Sequence, residues 1–65
     1  MSTFEDRLRH EEAELSHKIM KLSALMYSDV YAGLPSELQS LLMTQLQAME
    51  MYSEVLNIRI ERIST

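Results

Sequence analysis

The sequence predicts an all-α, single-domain protein: an antiparallel two-helix hairpin that assembles with copies of itself into a homo-oligomeric helical bundle. Three observations predict it. The 65 residues include one glycine and one proline, and both sit mid-chain, at Gly33 and Pro35. Apolar residues recur at steps of three and four on either side of that break, the period of a helix buried along one side. The second stretch carries more apolar surface than one partner helix covers. A chain this short buries only about 60% of its unfolded surface, and small proteins compensate with disulfides, a metal or self-association. Cysteine is absent, and His10 and His17 stand seven residues apart rather than the three or four of a helical metal site. No metal or cofactor is therefore expected, and self-association remains.

The first helix is predicted over about residues 3–29. Thr3 offers a hydroxyl cap ahead of Glu5 and Asp6, whose charges suit the positive end of a helix. Phe4, Leu8, Leu15, Ile19, Leu22 and Met26 then fall on one narrow stripe at ~100° per residue. A second strip, Ala13, Ser16, Met20, Ser23 and Tyr27, is either a solvated flank or a surface for another helix. The turn is predicted over 30–35, where Gly33 and Pro35 both favour leaving the helix.

The second helix is predicted over about 36–63. Ser36 followed three residues later by Gln39 has the pattern of a capping box. The main stripe is Leu38, Leu42, Gln45, Met49, Tyr52, Leu56, Ile60 and Ile63. Beside it run Leu41, Ala48, Met51, Val55 and Ile58. With Met20 and Tyr27 of the first helix, these five are the expected oligomer interface.

Composition narrows the function. Hydrophobic residues make up 46% of the chain, too many for a disordered segment. The net charge of -4 disfavours nucleic acid as the main partner. No apolar run approaches the ~18 residues of a membrane span, and a cytoplasmic location is expected. There is no glycine-rich phosphate loop, cysteine nucleophile or His-Glu-x-x-His, so no enzyme is expected.

The cations are the most informative residues. Arg7 and Arg9 stand near the start, Arg59 and Arg62 near the end, and no Lys or Arg lies between Lys21 and Arg59. A hairpin brings the four arginines to its open end, near His10. Arginine makes bidentate contacts to phosphate or carboxylate, so Arg7, Arg9, Arg59, Arg62, His10 and Tyr52 are the candidate ligand-binding residues. The same end carries Glu5, Asp6, Glu11, Glu12 and Glu61, and the charges there can equally form surface ion pairs. Arg59 either pairs with Glu11 or Glu12, which fill the gap between Leu8 and Leu15, or is held for a ligand. Gln45 is read as a polar residue specifying register within the seam. Tyr52 is read as core, its hydroxyl reaching a partner, and Met43 as exposed.

The run Gln45-Leu46, Met49, Tyr52, Val55-Leu56 and Arg59-Ile60, with Arg7-Leu8, Glu14-Leu15, Lys18-Ile19 and Lys21-Leu22 before it, resembles a group of short phage and prophage helical-hairpin proteins with relatives in crAss-like phages. More distantly it is similar to phage sponges directed against CBASS and Thoeris immunity, which sequester cyclic nucleotide or cyclic ADP-ribose signals. The resemblance implies a counter-defence protein of the infected host's cytoplasm, one that binds a cyclic nucleotide immune signal without cleaving it. The alternative is a hairpin that inhibits or assists another protein through an apolar helix face.

Overall fold

A computed structural model describes residues 3–64. It is all-helical, with no strand among the described residues. Among the described residues three helices follow one another: α1 (Phe4–Met26), α2 (Asp29–Ala32) and α3 (Ser36–Ser64).

α1 starts on a complete capping box. Thr3 is extended, its Oγ1 accepts the Asp6 N–H (3.0 Å), and its own N–H donates to Asp6 Oδ2 (3.3 Å). Two of the otherwise orphaned N–H groups at the helix start are thereby satisfied.

α1 ends at Met26, short of the expected 29, and the single helical turn α2 spans the junction between the expected helix and the expected turn. Ser28 makes this break: its hydroxyl donates to the Leu25 carbonyl and accepts the Tyr31 N–H (3.4 Å), closing α1 and capping α2. Gly33 sits at φ -85°, ψ -4°, a conformation open to any residue, and a Cβ there meets only ordinary contacts at 3.5 Å and beyond. The change of direction therefore rests on Ser28 and Pro35, not on glycine's freedom. Pro35 bars a helical conformation at Leu34, and its carbonyl accepts the Gln39 N–H (3.1 Å) to start α3. The capping box expected between Ser36 and Gln39 does not form. Gln39 instead turns to α2: its Nε2 donates to the Tyr31 carbonyl (2.8 Å) while the Tyr31 hydroxyl donates to the Gln39 carbonyl (3.1 Å).

α1 and α3 pack along their length, with Ser64 at the end of α3 beside Glu5 at the start of α1. The core between them is thin. Leu8, Leu15, Leu22 and Leu56 are buried, Leu56 fully at 0% exposure, and Ile19, Met49 and Ile60 pack against Leu8, Leu15 and Leu56.

The face that α3 turns to α1 differs from the expected stripe. Gln39, Leu42, Leu46, Met49, Ser53, Leu56 and Ile60 are buried or half-buried, whereas Leu38, Gln45, Tyr52 and Ile63 are exposed. Leu42, Met49, Leu56 and Ile60 belong to both seams, and the residues before and between the first three shift by one position. The observed rotation gains Leu46 in place of Gln45 and sets Ser53, rather than Tyr52, opposite Glu12 of the α1 stripe. Gln45 thus has no role inside this seam, and Tyr52 is not core. In α1 the stripe reads Glu5, Leu8, Glu12, Leu15, Ile19, Leu22 and Met26, and Phe4 is exposed. No described helix is long and apolar enough to cross a membrane.

Candidate functional site

Because successive residues step ~100° around a helix, residues flanking the Leu8–Leu15 line fall on opposite faces of the α1–α3 layer. Glu5, Arg9, Glu12 and Ser16 lie on one face, and Phe4, Arg7 and Glu11 on the other. The arginines are divided accordingly.

On the first face, Arg9 binds Glu5 Oε1 through Nη2 (2.9 Å) and Nε (3.2 Å). Its Nη2 also donates to Ser64 Oγ (2.6 Å), which donates to the same Glu5 oxygen (3.0 Å). The Arg9 guanidinium, with help from Ser64, holds the Glu5 carboxyl below the usual glutamate range. Arg9 is thus committed to tying the two chain ends together. Further along this face Glu12 Oε1 accepts from Ser16 (2.8 Å), Ser53 (2.9 Å) and Asn57 (3.4 Å). Donation by Ser16 first, then by Ser53 and Asn57, keeps Glu12 below its ordinary pKa as well.

On the second face the Arg59 guanidinium lies over the Phe4 ring, 6.0 Å from its centroid, a cation–π contact. The Tyr52 hydroxyl donates to Glu11. Arg59 therefore pairs with neither Glu11 nor Glu12: Tyr52 takes the first, and the Ser16–Ser53–Asn57 group takes the second. Arg7 shares the Phe4 flank, and its guanidinium meets no carboxylate among the described residues. Arg62 is exposed on the last turn of α3. His10 points away from α3 and bridges to Glu14 at 2.6 Å.

The six candidate ligand residues therefore do not form one cluster. Arg59, Tyr52 and Arg7 share a face, Arg9 is on the opposite one, and His10 is on the outer side of α1. The candidate interface residues are all exposed and are likewise divided. Leu41, Ala48 and Val55 run along the face that carries Tyr52 and Arg59, Met51 and Ile58 lie further round the back of α3, and Met20 and Tyr27 belong to the Glu12 side. One flat partner cannot cover all seven.

Two features escaped sequence reasoning. The Glu12–Ser16–Ser53–Asn57 cluster had a partial signal, because Glu12 fills a gap in the α1 stripe. The other is a cleft of about 410 Å³ near α2, lined by Ser23, Met26, Tyr27, Tyr31, Met43, Leu46 and Glu50. It opens on the Glu12 face, since Ser16, Ser23 and Tyr27 follow one another at seven and four residues. Met43 lines it, so that side chain has a neighbourhood its sequence position did not reveal. Among the described residues no cluster of acidic and histidine side chains could hold a metal ion.

No curated protein and no solved structure matches the chain. A family model, described as Sequestin, matches residues 2–62. Since that match spans nearly the whole sequence, the chain belongs to the Sequestin family.

Proposed function

We propose that this protein sequesters a small anionic signal, a cyclic nucleotide of antiphage immunity, by binding it without cleavage in an oligomer of two-helix hairpins. The observation that carries the reading is membership, over residues 2–62, of a family named for sequestration. The arginines supply the chemistry. Arg59 and Arg7 share a face and pair with no carboxylate among the described residues, so their guanidinium groups can meet phosphate oxygens without first breaking an ion pair there.

Self-association is part of the proposal. The chain exposes 5107 Å² for a mass of 7.6 kDa, where a compact monomer of that mass exposes roughly 4,300 Å². The surplus, roughly 800 Å², is one partner's share of a standard interface. Leu41, Ala48 and Val55 supply an apolar strip beside Arg59 and Tyr52. Copies packed through that strip bring arginines of neighbouring protomers to one interface, so a short chain can build an anion site larger than itself.

Native mass spectrometry of the protein, alone and with a panel of cyclic di- and trinucleotides and cyclic ADP-ribose isomers, tests the reading. A closed oligomer retaining intact ligand in integral stoichiometry supports it, and Arg59→Ala should weaken retention while the oligomer persists. A clean oligomer that retains nothing from the panel refutes it. The second reading, a hairpin that inhibits or assists another protein, is favoured by the same exposed strip. It predicts a monomer in which Val55→Asp changes nothing about mass, whereas self-association through the strip predicts dissociation by that substitution.

A further inference from the structure

We infer that the cleft beside α2 binds a planar heteroaromatic ring bearing N–H donors, of the nucleobase class, and that it does so apart from the arginines. The cleft's volume, about 410 Å³, lies within the ~300–1,000 Å³ of small-molecule sites. Its lining has the composition of such a site, with apolar and aromatic walls and few polar groups.

The walls differ in how they are held, and the difference fits a flat guest. Tyr31 is fixed, since its hydroxyl donates to the Gln39 carbonyl and its own carbonyl accepts from the Gln39 side chain. Its polar groups are thus already satisfied. Tyr27 is 93% exposed, follows the last residue of α1, and donates or accepts no side-chain hydrogen bond among the described residues. A ring so exposed gains by stacking on a flat ligand. Met26 and Met43 add polarizable sulfur surface that adapts to a ring edge.

Polarity sets the ligand's chemistry. Glu50 is the one charged residue of the lining, and its carboxylate has no hydrogen-bonding partner among the described residues. It is an acceptor only, so the cleft favours N–H donors and repels phosphate. The sugar or phosphate of a nucleotide would lie outside. Arg7 and Arg59 cannot hold that phosphate on the same protomer. Arg7 precedes Met26 by 19 residues of α1, roughly 28 Å at 1.5 Å per residue, and Arg59 lies on the opposite face.

This inference rests on the cleft and not on the sequestration reading, and the two are tested separately. Adenosine and guanosine are titrated into protein carrying ¹³C-methyl methionine, with ribose 5-phosphate and a fully N-methylated purine as controls. Both nucleosides should shift the Met26 and Met43 methyl resonances saturably, ribose 5-phosphate should not, and the N-methylated purine should bind more weakly. Tyr27→Ala should weaken nucleoside binding at least fivefold with an unchanged circular-dichroism spectrum. Glu50→Gln should reduce the nucleosides' advantage over the N-methylated purine. Nucleosides that leave both methyl resonances unmoved overturn the inference. So does an equal response to ribose 5-phosphate, or unchanged affinity in Tyr27→Ala. Retention of a cyclic dinucleotide that leaves these methyl groups unmoved keeps the sequestration reading and removes this one, and nucleoside binding without such retention does the reverse.

Discussion

Leu56→Ala places the heaviest demand on this structure. Leu56 is fully buried, at 0% exposure, and it packs against Leu8 and Leu15, with Ile19, Met49 and Ile60 around them. Burying a leucine contributes ~1.5–3 kcal/mol, and truncating one in a rigid core costs ~2.7–5 kcal/mol because the cavity adds to the lost transfer energy. In a layer of two helices the neighbours can collapse partway into the gap, which places the expected loss near the low end, about 3 kcal/mol. With only Leu8 and Leu15 buried beside it in that cluster among the described residues, that loss is a large share of what holds α1 to α3. Urea unfolding followed by circular dichroism at 222 nm, at one fixed protomer concentration, measures it. Fixing the concentration matters because self-association would add a mass-action contribution to stability. Met51→Ala is the matched control: Met51 is 69% exposed, so its effect within the isolated layer should stay under ~0.5 kcal/mol. A Leu56→Ala loss below about 1 kcal/mol, or one no larger than that of Met51→Ala, refutes the assignment of the seam to Leu42, Met49 and Leu56.

Two further outcomes follow from local geometry. Glu5 and Glu12 both have folded-state pKa values below the ordinary 4.5. Their contribution to stability is therefore complete above that value and is lost as pH falls from 4.5 through the lowered folded values. Thermal midpoints measured from pH 6 to pH 2.5 should fall in that acid range, and Glu12→Gln should flatten part of the fall. A Glu12→Gln profile that parallels the wild type removes the carboxylate from the account. Gly33→Ala should leave the fold unchanged and raise stability by up to ~1 kcal/mol, because the backbone there is already right-handed and alanine restricts the unfolded chain. A loss of more than about 1 kcal/mol in urea titration would show that the space around Gly33 is tighter than its 3.5 Å neighbours imply.

The sequence by itself determined the all-helical class, the Thr3 cap and the region of the break. These follow from interactions between residues a few positions apart: a hydroxyl three residues before an N–H, apolar side chains every three or four, and a proline without a donor. It also determined that cations avoid the middle of the chain. Which face of α3 meets α1 was decided only by the tertiary structure. Two seams share Leu42, Met49, Leu56 and Ile60 and differ by one residue at the positions between the first three, a ~100° step. Choosing between them requires the opposite helix, where Glu12 calls for Ser53 and Asn57 rather than Tyr52. The same choice separates Arg9 from Arg59 and opens the cleft where Tyr27, Tyr31 and Glu50 meet. Periodicity along one helix does not contain that information, because it places residues on faces without saying what each face will touch.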